Sequence, residues 1–446
     1  MPGPKQMSHS NLERDLTPHE LGFLDLSTTT RQQIVSGTLF FDGAIDLESI
    51  RRQMWNYVHR HPQFRCRISL DQTPRWIHCD PFNLDDHLTA EDASSSSQDD
   101  ILSLAASTAA GGLSPRLPPW RIILVHFSPE QQRKQSALIL IAHHSLLDGL
   151  QGIELVNELT RDGKRVRARG VEKPVESTPL KHPTLRSRFA CYLSLIRETF
   201  RRSARNFHSS RKVQTSSRKT ISLTWGREVM NRIKAKLDCS LQEVVLGVMG
   251  DALSQFSLDQ KRSGEIKVIL PVGHSEPKSR TFTTNRHDVG MMKLGTRRQV
   301  TLPQRFTLSS IRSQIKRIRN QQRLGVFPTI LSLVSILPSS LRQYCFHKYA
   351  SKADLLISLI PSGRKRRHIN QSEITSIYAQ PAIPPGHVLA IGIVIYADQI
   401  AISLQYDPNQ MIEIDHLKSK IKESIGRWIG DIHSAECIAP SNGSVC

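Results

Sequence analysis

The chain has 446 residues, more than one ordinary core holds, and a prior of about 150 residues per domain divides it into two or three units, two similar halves being simplest. With 38% apolar and 22% charged residues the composition excludes a disordered chain, and no apolar run reaches the roughly 20 residues that cross a bilayer as a helix. A formal charge of +20 implies attraction to polyanions; without a zinc-finger, helix-turn-helix or RNP pattern, an anionic lipid surface or a phosphate-bearing substrate is favoured over nucleic acid.

The N-terminus runs into polar residues without the apolar block of a secretory signal, so the chain reads as cytoplasmic. Residues 34–41 are β-branched and aromatic and end in Phe41-Asp42-Gly43, which predicts a strand and a turn. Asp46 then caps a helix carrying Leu47, Ile50, Met54, Tyr57 and Val58. Residues 65–70 and 76–78 read as a short hairpin, and 93–100 as a loop rich in Ser and Asp. Strands follow over 120–127 and 137–142, and the second runs straight into His143-His144. Beyond them, residues 149–161 place Leu150, Ile153, Leu155, Val156 and Leu159 at helical spacing. The histidine pair therefore sits at a strand end, just before a helix.

From about 162 to 218 the composition turns basic and Pro-containing, as in a crossover between halves. Within it, 186–207 reads as a helix with Phe189, Leu193, Ile196 and Phe200 on one face and arginines around it. That helix either lies on an anionic membrane or packs between domains with a solvated basic face. The second half alternates again: strand 220–225, helices 228–237 and 241–256, strand 266–271, helices 308–321 and 328–344, strands 355–360, 388–396 and 400–406, and helix 414–429. The resulting division is 1–165, a linker 166–218, 219–434, and a tail 435–446. Seven cysteines, odd in number and without a Cys-x-x-Cys pair, give no sign of a zinc site or a redox couple.

A general base near neutral pH is most often histidine, because its ordinary pKa of about 6.5 lies close to the working pH. His144 is the candidate, although a lone histidine on a strand is more often a satisfied structural residue. Its surroundings decide the matter. The string His143-His144-Ser145-Leu146-Leu147-Asp148-Gly149, between strand and helix, resembles the HHxxxDG motif of the CoA-dependent acyltransferase superfamily.

Within that superfamily the chain is most similar to the bacterial-type wax ester synthase/diacylglycerol acyltransferase family. The similarity is carried by His61-Pro62-Gln63-Phe64-Arg65-Cys66-Arg67, Pro74-Arg75-Trp76, Phe82-Asn83-Leu84-Asp85-Asp86-His87, Leu117-Pro118-Pro119-Trp120, Leu270-Pro271-Val272 and Thr284-Asn285-Arg286 through Gly290-Met291-Met292. It departs from the family pattern at Gln242-Glu243, where an Asn-Asp pair is usual, and at Ser358-Leu359-Ile360-Pro361-Ser362-Gly363, where Ser-Asn-Val-Pro-Gly is usual. These departures leave acceptor specificity open.

The resemblance implies an α/β (α+β) fold of two chloramphenicol-acetyltransferase-like subdomains, each a mixed sheet with helices, and an active-site tunnel between them. It implies an O-acyltransferase moving a fatty acyl group from acyl-CoA to a long-chain alcohol or diacylglycerol. His144 would be the general base, with His143 and Asp148 as structural supports, and Gly149 and Asn285 are candidate substrate contacts. Acyl-CoA enters as co-substrate; no metal, cofactor or covalent acyl-enzyme is required. Peripheral contact with an anionic membrane or lipid droplet is expected, and nucleic acid is not. The alternatives are an acyltransferase for another hydroxyl or amine, such as that of a secondary metabolite, and a non-catalytic relative that binds membrane. The cationic run Gly363-Arg364-Lys365-Arg366-Arg367-His368 is either an exposed loop or a headgroup contact.

Overall fold

Strands whose apolar residues run without interruption must be covered on both faces. Here they organise a computed structural model that describes residues 13–28, 31–71, 73–93, 97–128, 135–160, 193, 207, 216–273, 287–295, 304–323 and 325–436. In chain order the described strands are β1 (Arg14–Asp15), β2 (Ile34–Phe41), β3 (Cys66–Ser69), β4 (Arg75–His78), β5 (Leu88–Asp92), β6 (Trp120–Phe127), β7 (Gln135–His143) and β8 (Lys219–Gly226). They continue with β9 (Ile266–Gly273), β10 (His287–Gly295), β11 (Leu355–Gly363), β12 (His368–Ile369), β13 (Ser372–Gln380), β14 (Leu389–Tyr396) and β15 (Gln399–Tyr406). Two six-stranded sheets result, ordered β12-β13-β2-β7-β6-β5 and β10-β9-β11-β14-β15-β8, with a small third sheet β1-β4-β3. The expected architecture of two mixed sheets with helices is thus observed.

All eight residues of β14 are buried, and each fully buried Val or Ile contributes about 1.5–3 kcal/mol relative to exposure. Helices close over the sheets by their apolar faces. Asp46 caps the helix Leu47–Arg60 by accepting from the Ser49 amide at 2.7 Å, and that helix buries Ile50, Met54, Tyr57 and Val58. Trp120 is buried, donates its indole N–H to the Phe64 carbonyl at 2.8 Å, and stacks on His87; its place is in the packing of the first half. No described helix is long and apolar enough to cross a membrane.

Beyond elements that patterning does not show, such as β5, β10 and the helix Pro18–Leu26, three differences bear on the architecture. The loop expected over 93–100 ends at Ser97, which caps a helix Gln98–Gly111 through a reciprocal box with Asp100. Its buried face is largely alanine (Ala105, Ala106, Ala109), so its apolar signal in sequence is weak. The single helix expected over 328–344 is two helices, Val326–Ser335 and Ser339–Ala350. They part at Leu337-Pro338, because Pro338 has no amide hydrogen and disfavours a helical residue before it. Finally, β12 and β13, though within 219–434, belong to the first sheet, where β13 pairs antiparallel with β2 from Ile374 opposite Phe41 to Gln380 opposite Ser36.

That exchange interlocks the halves. A Cβ at Gly392 of β14 would fall 1.8 Å from the Ala379 carbonyl of β13, so only glycine admits the crossing. Arg31, between the helix Pro18–Leu26 and β2, is 2% exposed and pairs with Asp407, after β15, at 2.7 Å while donating to the His387 carbonyl at 3.2 Å. Arg218, also buried, donates to the carbonyls of Gln32 and Ile34. The expected basic helix over 186–207 lies outside the described residues except for Leu193 and Phe207.

Candidate active site

The motif begins where β7 ends. His143 is the last residue of β7, paired with Ile34, and its amide donates to the Pro119 carbonyl at 2.9 Å. The His144 amide donates to the Gln33 carbonyl at 2.8 Å, so the two histidines hang from the end of a paired ribbon. Ser145 donates its hydroxyl to the Glu20 carbonyl at 2.7 Å, and Asp148 begins the helix Gly149–Leu159.

The two histidines have different surroundings. His143 is 5% exposed, and burial pushes its pKa down to about 4. Its Nδ1 accepts from the Ser145 amide at 3.2 Å, and its Nε2 lies 3.2 Å from the Ser27 hydroxyl. That hydroxyl already accepts from the Gln33 amide at 3.0 Å and donates to the Phe23 carbonyl at 3.1 Å. The network therefore assigns the proton of a neutral ring to Nε2, which donates to Ser27. Both nitrogens of His143 are occupied in holding the turn. His144 is only partly buried, and its ring lies flat on Phe23, with centroids 3.9 Å apart and planes 4° from parallel.

Asp148 is 1% exposed and faces its own helix: its carboxylate accepts from the Gln151 amide at 2.8 Å, while the Gln151 side chain accepts from the Asp148 amide at 2.8 Å. This capping box orders the turn that holds the histidines. Gly149 faces the other half of the molecule. A Cβ there would come 2.8 Å from Cδ1 of Ile360 on β11, and the neighbouring Leu150 reaches Gly273 of β9. The motif thus sits on the seam between the two sheets, one side built by β7 and the other by β9 and β11.

Sequence reasoning did not find Phe23 and Ser27. Both come from the helix Pro18–Leu26, with Ser27 as its C-cap. The apolar residues of this short segment do not form a single stripe, so periodicity misses it. A legible signal is present in Thr17-Pro18-His19-Glu20, a capping box with proline in the first turn, and all of its bonds form. The helix is clamped from the second half by Arg342, whose guanidinium meets both Asp25 carboxylate oxygens at 2.7 and 3.2 Å.

With this geometry in view, the chain's relatives are informative. The wax ester synthase/diacylglycerol acyltransferase catalytic domain matches residues 9–237, and the C-terminal domain of the same family matches residues 285–427. The chain belongs to this family. It is accordingly an acyltransferase, with the motif inside the catalytic-domain match. Similar solved structures include a wax ester synthase/diacylglycerol acyltransferase from Marinobacter aquaeolei VT8, with 16% identity and a TM-score of 0.61 over 93% of this chain and 98% of that one. A trichothecene 15-O-acetyltransferase from Fusarium sporotrichioides has 14% identity and a TM-score of 0.64 over 95% and 97%. The first condensation domain of the CDA synthetase has 13% identity and a TM-score of 0.64, again over 95% and 97%. These three likenesses concern the fold. No curated protein matches the chain in sequence.

The positions at which the chain departs from the family pattern have definite places. Glu243 completes the capping box of Ser240 on the helix Leu241–Asp259 and meets Arg312 at 3.2 Å, so this swap serves a helix start. Gln242 is near Arg319 at 3.5 Å. The segment 358–363 is most of β11 and carries Ile360 to Gly149. Arg366 in the cationic run is held by Asp398 at 2.8 Å and by Glu373, and Arg367 bonds Ser362 and covers Tyr396. Asn285 lies outside the described residues.

The buried His143 gives the molecule an acid-sensitive point. A histidine whose folded pKa lies below its unfolded value binds fewer protons in the native state, so stability is full above pH 6.5 and falls as the pH drops toward 4. The loss over that window is about 3 kcal/mol at 1.36 kcal/mol per unit. Urea titrations across it are expected to show the slope in the natural chain, and a shallower one in His143→Asn. Equal slopes would place the acid sensitivity elsewhere.

Proposed function

We propose that the chain transfers a fatty acyl group from acyl-CoA to the hydroxyl of a long-chain alcohol or diacylglycerol, working against a membrane or lipid-droplet surface, with His144 as general base. The observation that carries the assignment of the base is the contrast within the pair. His143 is neutral, buried and engaged at both nitrogens, which makes His144, partly exposed at the seam between the sheets, the histidine positioned to serve substrate.

The chemistry balances without a further reactant. His144 takes the proton of the acceptor hydroxyl as its oxygen attacks the thioester carbonyl carbon, and the C–O bond forms. The tetrahedral oxyanion collapses, the C–S bond breaks, and the imidazolium returns the proton to the departing CoA thiolate. His143 and Asp148 act through the turn that presents His144. Gly149 lets the two halves close on the site, and Asn285 is retained as a candidate substrate contact.

The acceptor is the more open part of the reading. Ile360, within the departure 358–363, packs on Gly149 of the motif, and this nearness of a changed segment supports a smaller hydroxyl or an amine as the second candidate. Purified protein given radiolabelled palmitoyl-CoA and a panel of fatty alcohols, diacylglycerol and smaller acceptors separates the two. Ester formed with a long-chain alcohol or diacylglycerol is the expected product. Turnover confined to small acceptors would replace this reading with the second.

A further inference from the structure

Of the large apolar side chains exposed in the described residues, four fall on one helical hairpin: Leu333 (61% exposed), Ile336 (80%), Leu341 (45%) and Tyr344 (61%). The first helix of this hairpin, Val326–Ser335, buries only Val326 and Leu331, and the second, Ser339–Ala350, only Ala350. The second helix is divided by face. Arg342, Phe346 and Tyr349, at i, i+4 and i+7, grip the body through Asp25, Gly22 and the Val289 carbonyl. Leu341, Tyr344 and Lys348, at i, i+3 and i+7, form a stripe turned to solvent. On the first helix Pro328, Thr329, Ser332 and Leu333 are exposed, as is its C-cap Ile336.

We propose that the hairpin 326–350 is the face by which this chain docks onto an anionic lipid surface. Single exposed apolar side chains are ordinary, but four gathered on one hairpin are the kind of patch that marks a binding surface, and charge chooses the partner. The hairpin itself carries Arg342 and Lys348 and not one Asp or Glu, and the longer segment 289–353 holds twelve Lys and Arg without an acidic residue, although Arg342, Arg312 and Lys293 are paired with Asp25, Glu243 and Glu265. A second copy of the chain would bring the same positive charge against itself, whereas a bilayer of acidic phospholipid answers it while taking up the apolar stripe. The cationic run at 364–367 is less suited, because it lies against Asp398 and Glu373 and none of the large exposed apolar side chains of the described residues stands beside it in sequence.

The location supports this partner. The inner face of the hairpin clamps the helix Pro18–Leu26, whose Phe23 lies on His144, so a lipid surface under the hairpin is one short helix away from the motif. The inference rests on the lipid-acceptor reading above, and it is tested by binding rather than by turnover.

The full chain is sedimented with phosphatidylcholine vesicles with and without phosphatidylserine, at low and high salt. The natural chain is expected to bind the acidic vesicles and to release with salt. The triple variant Leu333→Glu, Ile336→Glu, Tyr344→Glu is expected to bind at least about tenfold more weakly, with unchanged circular dichroism and melting. It is also expected to retain turnover of a short-chain acyl-CoA with a soluble alcohol. If the glutamates disturb folding, Leu333→Ser with Ile336→Ser removes the apolar stripe without adding charge. His144→Ala is expected to lose turnover but to bind vesicles like the natural chain, which separates failure of docking from failure of the catalytic reading. Undiminished vesicle binding by a folded variant overturns the proposal. So does a change in oligomeric mass with unchanged vesicle binding, which would assign the face to a second copy.

Discussion

Replacement of His144 by alanine is expected to lower acyl transfer by on the order of a hundredfold or more while the protein stays folded. The side chain is partly exposed at a strand end, and its ring packs on that of Phe23. Losing such a stacked pair costs about 0.5–1.5 kcal/mol beyond area, too little to unfold a chain with two large cores. The turn that presents it is fixed independently, by the Ser145–Glu20 bond, by the two bonds of His143 and by the Asp148–Gln151 box. Activity and folding should therefore separate. Turnover measured with saturating palmitoyl-CoA, beside circular dichroism of the same sample, checks this. Turnover within a few-fold of the natural chain would remove His144 from the chemistry, and a chain that binds vesicles without turning over acyl-CoA would favour the non-catalytic alternative.

Asp407→Ala is expected to be the most damaging single change to stability, at about 3–5 kcal/mol. Arg31 and Asp407 are both fully enclosed, with side chains 1% and 0% exposed. Burial pushes the Arg31 pKa down, and the Asp407 carboxylate opposes that shift by its charge and its hydrogen bond. Removing the carboxylate leaves a buried cation close to a second one, Arg218, whose own pKa burial and the neighbouring Arg31 lower to about 10. The same carboxylate accepts from the Asn409 amide at 3.0 Å and from the Gln410 side chain at 2.8 Å, so several donors lose a partner together. Because Arg31 enters β2 and Asp407 leaves β15, the loss falls on the seam that carries the motif. Urea unfolding of Asp407→Ala, compared with the double variant Arg31→Met, Asp407→Leu, measures it. The double variant is expected to recover most of the loss, since no unpaired charge then remains. Equal loss in both would mean that packing, not charge, holds the seam.

Much of the first half is legible in its residues alone. The strand 34–41, the Asp46 cap, the strand 120–127 and the strand leading into His143 stand where patterning puts them, because each has a local signal: β-branched runs, a capping side chain, a turn. The helix Gln98–Gly111 is not legible because alanine gives little apolar contrast. Nor does β13 read as a strand. Ser372, Ser376 and Gln380 are polar yet buried, with Gln380 donating to the Leu102 carbonyl and the Thr220 hydroxyl. Ser372 and Gln380 are satisfied by partners distant in sequence, Ala44, Leu102 and Thr220, and no window of neighbouring residues shows them.

The same distinction holds at the motif. By itself the sequence determined that a histidine pair lies between a strand and a helix, since β-branched runs and apolar spacing mark both elements; that Asp148 caps this helix is a finding of the structure. The sequence also determined family membership, through motifs spread along the chain. The resemblance already named His144 as base and His143 as support, but the partners that hold them appear only in three dimensions, where Ser27 and Ser145 occupy the nitrogens of His143 and Phe23 stacks on His144. So does the seam itself, where Ile360 fills the space left by Gly149 and Arg31 finds Asp407. The contacts made by Ser27, Phe23, Ile360 and Asp407 join residues more than a hundred positions apart. They exist because buried charge and close-packed side chains must be answered by whatever the fold brings beside them.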